Sequence, residues 1–215
     1  NLQELDLNNN QITSIPYKLP DNLQKLCLNS NQIILIPDNL SDNLKKLYLN
    51  GNEITSIPYK LPVNLQKLCL SNNQITSIPE NLPDSLKFLM INSNYIKLFP
   101  TKLPNNLQEL YLNDNQITSI PDSRGPGTGL PDNLQFLWLV SNYIISFPNK
   151  LPNNLKNLNL SNNKITSIPN NLPNNLLVLC LNNNYIKSFP LRFHHNLKQL
   201  DISCNPIYLG NITFE

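Results

Sequence analysis

Leucine and isoleucine recur along this chain in a fixed order with polar residues between them, so that block after block reads Leu-x-x-Leu-x-Leu-x-x-Asn-x-Ile. The alternation in "LQKLCLN" is the period-two pattern of a short strand with one buried face. The motif Asn falls at Asn10, Asn31, Asn52, Asn73, Asn94 and Asn115, a spacing of 21, and then at Asn142, Asn163, Asn184 and Asn205. The step from Asn115 to Asn142 is 27, and its excess of six matches "RGPGTG", residues 124–129, between Ser123 and Leu130. The pattern therefore predicts an insertion on the return side of the sixth repeat, with strand register continuing across it. Three of the chain's five glycines lie there and predict a mobile excursion.

Parallel strands need a crossover, and each repeat has room for one strand and one return segment. Prolines at Pro16, Pro37, Pro58 and Pro79 and onward block a long helix on that return and favour extended stretches or short 3₁₀ turns. In the fourth repeat Leu65, Leu68, Leu70, Ile75, Ile78 and Leu82 are predicted to point inward, each contributing roughly 1.5–3 kcal/mol on burial. The motif Asn is predicted to bond backbone groups of its own and the adjacent turn, forming a ladder. The expected fold is an α/β-type repeat solenoid, mostly β, with a parallel sheet on the concave side and a thin convex side of extended or 3₁₀ segments.

A longer rhythm overlies the first. One return position is Lys18, Lys60, Lys102, Lys150 and Arg192 in odd repeats but Asn39, Asn81 and Asn171 in even ones. Odd repeats from the fifth carry Tyr95, Tyr143 and Tyr185 after the ladder Asn, and Phe99, Phe147 and Phe189 at an inward position. Side chains used for binding should thus recur at twice the strand spacing, roughly 10 Å.

These motifs resemble those of the leucine-rich repeat family over the whole chain, apart from the insertion and the divergent end at 206–215. The return segments "ITSIPENLPDSL" and "IKLFPTKLPNNL" are similar to the short Leu-Pro subclass of secreted bacterial effectors, some of which carry ubiquitin-ligase domains. The richness in Asn, Ile and Lys resembles repeat proteins of AT-rich genomes such as giant viruses of amoebae. The resemblance implies a curved right-handed solenoid and one domain over residues 1–215, of about ten repeats. It also implies a non-catalytic module for protein–protein interaction. Two alternatives stand beside that reading: the substrate-recognition arm of a larger enzyme such as a ubiquitin ligase, and a structural protein of a virion or surface layer. The chain opens on Asn1-Leu2, without an initiator Met or a signal pattern, and is expected to be part of a longer one.

Function is sought on the concave face, where the residues between the strand leucines point outward. One outward column runs Glu4, Lys25, Lys46, Lys67, Phe88, Glu109, Phe136, Asn157, Val178, Gln199, and the other Asp6, Cys27, Tyr48, Cys69, Met90, Tyr111, Trp138, Asn159, Cys180, Asp201. Together they place Phe88, Met90, Tyr111, Phe136 and Trp138 on three successive strands, with Tyr95 and Tyr143 beyond the ends of two of them. Nothing in the repeat demands outward aromatics, so the cluster is a candidate protein-binding patch. Tyr48, Lys25, Lys46 and Lys67 extend it. The lysine column is thin and interrupted by Glu4, Asp6 and Glu109, which argues for an acidic protein partner over nucleic acid.

The remaining chemistry is sparse. A net charge of +2 favours neither nucleic acid nor an anionic membrane, and no apolar run is long enough to span a bilayer. Cys27, Cys69, Cys180 and Cys204 show no ligand or disulfide spacing and are expected as free thiols, pointing to an intracellular setting, host cytoplasm or virion. Sequons at Asn39, Asn159 and Asn211 carry little weight in so Asn-rich a chain. His194 and His195 lie adjacent in a return segment, and "RGPGTG" lacks the Lys-Ser/Thr of a phosphate loop. No catalytic residue, metal or cofactor is expected, and the oligomeric state is left open.

Overall fold

The computed structural model describes residues 1–121, 129–188 and 196–208. Among the described residues ten three-residue strands form one parallel sheet in strict chain order: β1 Glu4–Asp6, β2 Lys25–Cys27, β3 Lys46–Tyr48, β4 Lys67–Cys69, β5 Phe88–Met90, β6 Glu109–Tyr111, β7 Phe136–Trp138, β8 Asn157–Asn159, β9 Val178–Cys180 and β10 Gln199–Asp201. Every pair is in register leucine to leucine, and β6 meets β7 without offset, Leu110 opposite Leu137, although the sixth repeat is six residues longer. The inward positions of the fourth repeat are buried as the pattern requires, from Leu65 at 0% exposure to Leu82 at 8%.

The ladder asparagines bind two turns at once. Asn73 donates from Nδ2 to the carbonyls of Leu49 at 2.9 Å and Leu70 at 3.1 Å, while its Oδ1 accepts from the Ile54 N–H at 2.9 Å. Asn115, Asn142, Asn163 and Asn184 repeat the arrangement, Asn94 does so with Asn92 O as its second acceptor, and Asn142 carries it across the long repeat by donating to Leu112. Each turn also needs a left-handed residue just before the ladder Asn. Asn9, Ser30, Gly51, Asn72, Ser93, Asp114, Ser141, Asn162, Asn183 and Cys204 all have φ between 53° and 65°. All but Cys204 are Asn, Asp, Ser or Gly, the short residues that tolerate this conformation best or bond locally to support it.

The return segments are extended and contain no helix among the described residues. The anticipated 3₁₀ character contracts to one isolated turn per repeat, in which Leu23 N–H donates to Pro20 O, Leu65 to Pro62 and Leu107 to Pro104, each at 3.0 Å. One such bond closes a β-turn, and the strand that starts directly after it prevents propagation. The two-repeat rhythm has a bonded counterpart: Asn39 donates from Nδ2 to Tyr17 O at 3.1 Å, Asn171 to Asn149 O at 3.2 Å, and Asn81 to Tyr59 O. At the equivalent place in the long repeat Gly129 donates its own backbone N–H to Thr101 O at 3.0 Å, with φ at 83°. Gly129 therefore belongs to the scaffold. Residues 122–128 lie outside the described residues, and with them the expected excursion; so do Phe189, Arg192, His194, His195 and Asn211. Phe99 is buried and Phe147 half-buried against the core.

Candidate partner-binding face

The outer residues of the strands stand in the two columns read from the sequence, because the central leucine of each strand turns inward and parallel pairing aligns its neighbours. Side-chain packing then joins the columns diagonally. Lys67 Nζ lies 3.8 Å from the Phe88 ring centroid, Phe88 is 5.3 Å from the Tyr111 ring, and Tyr111 meets Trp138 edge-on at 5.4 Å. Four consecutive strands, β4 to β7, thus carry a continuous row of one cation and three rings. Lys67 also stands 5.7 Å from the Tyr48 ring. These separations are those of favourable cation–π and aromatic pairs.

The Tyr111 hydroxyl donates to Glu109 Oε2 at 2.8 Å. Burial first, and this hydrogen bond second, push the tyrosine's pKa well above the ordinary range. The phenol therefore remains neutral, and the Glu109 carboxylate is turned toward it. Trp138, at 37% exposure, is the most accessible ring of the row, while Phe88, Met90, Tyr111 and Phe136 are half-buried.

Not every predicted residue joins the row. Met90 and Phe136 share its strands but make no ring pair among the described residues. Tyr95 and Tyr143 sit past the ladder turn on the flank, 52% and 48% exposed, and Lys164 Nζ covers Tyr143 at 4.9 Å. Lys46 is exposed, and Lys25 is held by Glu4 at 3.0 Å, the single ion pair among the described residues. The links Lys67–Phe88 and Glu109–Tyr111 went unread in the sequence, although register neighbours and an i, i+2 pair on one strand are its available signals.

The cysteines are free, and no group of three metal-ligating side chains occurs among the described residues. Cys27 and Cys69 are buried although they point to the concave side, and burial is the main cause that raises both thiol pKa values, Cys69 to about 11. No helix among the described residues is long and apolar enough to cross a membrane.

Leucine-rich repeat profiles match residues 1–21, 43–62, 64–84, 105–153, 154–176 and 193–207, together most of the chain. The chain belongs to the leucine-rich repeat family. Among solved structures it is similar to YopM from Yersinia enterocolitica, at 28% identity and a TM-score of 0.73 over 96% of this chain and 47% of that one. It is also similar to a chain in the octameric complex of Latrophilin 3, Unc5D and FLRT2, where the leucine-rich repeats are those of FLRT2, at 27% identity and a TM-score of 0.79 over 96% and 69%. A third is YopM of Yersinia pestis, described as a leucine-rich effector protein, at 26% identity and 0.63 over 94% and 66%. The chain spans about half the length of the first of these. No curated protein matches the sequence.

Proposed function

We propose that this solenoid is a binding module that presents its concave face to a protein partner, with Trp138 and the rings beside it as the anchor. The row from Lys67 to Trp138 carries the reading: three rings in contact on a face where the fold requires none, ending in a half-open Trp. Buried aromatic anchors beside an exposed polar rim are what concentrates binding energy in protein interfaces. Exposed Lys46 and the half-buried Asn157 and Asn159, register partners of Phe136 and Trp138, supply the polar surround.

Trp138→Ala and Phe136→Ala are each expected to weaken the partner by about 2 kcal/mol or more, with little change in the urea midpoint. The partner would be recovered by affinity capture with the 215-residue chain and its affinity measured by calorimetry. Equal losses of stability and binding would make the rings part of the scaffold and end this reading. The alternative, in which the same face is the substrate-recognition arm of a larger enzyme, gains no support from the Yersinia neighbours, described as YopM and as a leucine-rich effector protein. A catalytic domain in the full reading frame would decide for it.

A further inference from the structure

We infer that the concave face takes a linear segment that pairs one or two carboxylates with a bulky apolar residue about three or four positions away. A carboxylate meets Lys67, with Lys46 on the next strand to hold a second, and the apolar side chain lies against Trp138. This rests on the concave-face reading above and adds the chemistry and spacing of the partner.

Charge comes first. Lys25 is neutralised by Glu4, the single ion pair among the described residues, whereas Lys46 and Lys87 are exposed and Lys45 meets only the neutral Gln24 Oε1, at 3.1 Å. Lys67 is held in place by the Phe88 face at 3.8 Å, which positions the ammonium without cancelling its charge. An ammonium resting on a ring keeps N–H donors for a carboxylate. Lys45, Lys46, Lys67 and Lys87, on three consecutive repeats, thus form a positive field beside the rings. The field ends at Glu109, whose carboxylate is committed to the Tyr111 hydroxyl and would repel a second acid. Acid is favoured on the lysine side and disfavoured on the Trp138 side, so the segment has a polarity.

Geometry sets the spacing. From β4 to β7 is three strand steps, or ~14 Å at ~4.8 Å per step. An extended chain advances about 3.3 Å per residue, so about four residues span the distance. Because Lys67 leans over Phe88 on β5, three suffice when the carboxylate follows the ammonium. A nucleic acid would place phosphates regularly along the face and meet Glu4, Asp6 and Glu109, which disfavours it.

The test is to pan random peptides of about twelve residues, long enough to cover the row, on the immobilised 215-residue chain. Affinities of the enriched peptides are then measured by fluorescence anisotropy for wild type, Lys46→Glu, Lys67→Glu and Trp138→Ala, each checked for its circular dichroism spectrum. The enriched peptides should share an acid and a bulky apolar residue about three or four apart. Lys67→Glu should weaken them about tenfold or more, and exchanging the peptide acid for lysine should restore binding to that variant. Peptides that need Trp138 but carry no acid at that spacing would overturn the inference and leave the concave-face reading standing. Peptides insensitive to all three substitutions would overturn both. Failure to enrich any sequence would overturn the linear-segment form.

Discussion

Cys69 lies on the outward side of β4 yet is only 3% exposed. Its register partners are Tyr48 and Met90, both larger, so a small outward residue is roofed by its neighbours. Direction was legible in the sequence and accessibility was not, since alternation fixes a face while side-chain size on adjacent strands decides what solvent reaches. Burial raises the thiol to about 11, above the ordinary thiol range near 9.0. A raised folded-state pKa means that the folded protein holds this proton more tightly. The contribution is complete below the ordinary thiol range and is lost as pH rises from 9.0 to about 11. The stability difference between wild type and Cys69→Ala, read from urea unfolding, should accordingly shrink between those values. A difference that stays level would show that the thiol titrates as an exposed one does.

The element that holds the repeat together is the turn closed by the ladder Asn, and its period made it readable in advance. Asn94, 5% exposed, donates to Leu70 O and Asn92 O at 3.0 Å each and accepts from Ile75 N–H at 2.9 Å. Asn94→Ala would strand those backbone groups away from water, at a cost of about 2–4 kcal/mol. Asn10, exposed and bonded only within its own turn to Leu7 O and Asn8 O, should cost about 1 kcal/mol or less when replaced by Ala. Chemical denaturation of the two variants measures the contrast, and equal losses would mean that the reach to the adjacent turn adds nothing. The left-handed column was equally available, since Asn9, Ser30, Gly51 and Asn72 already align in the sequence, but it becomes meaningful only once the turn geometry is known. Of the two return conformations expected, the extended one prevails with a single turn per repeat, because proline restricts the return without specifying how many turns follow one another.

At the scale of the whole molecule each strand touches only its neighbours in sequence, so the spacing of 21 carried the architecture almost complete. The diagonal row across the concave face was beyond it, because that row depends on how Lys67, Phe88 and Tyr111 lean between columns. One further row of polar side chains runs along the solenoid two residues before the ladder. Asn29 Oδ1 accepts from Asn50 N–H at 2.8 Å, Asn92 Oδ1 from Asn113 at 2.9 Å, and Asn113 Oδ1 from Val140 at 2.9 Å. Val140 has no side-chain acceptor to offer, and Ser161 N–H turns instead to Asn159 Oδ1 of its own repeat at 3.0 Å. Val140→Asn should restore the link and raise stability by about 1 kcal/mol, a gain visible in the thermal midpoint; no gain would mean that Asn159 already compensates fully. A chain of near-identical links under tension parts at the link with the fewest ties. Ser203 N–H likewise turns to Asp201 Oδ1 of its own repeat, so the row is open at this last joint as well. Pulled from its ends in an optical trap, the solenoid should yield at the last joint or between the seventh and eighth repeats, and at the latter a partner seated on Trp138 would act as a clasp.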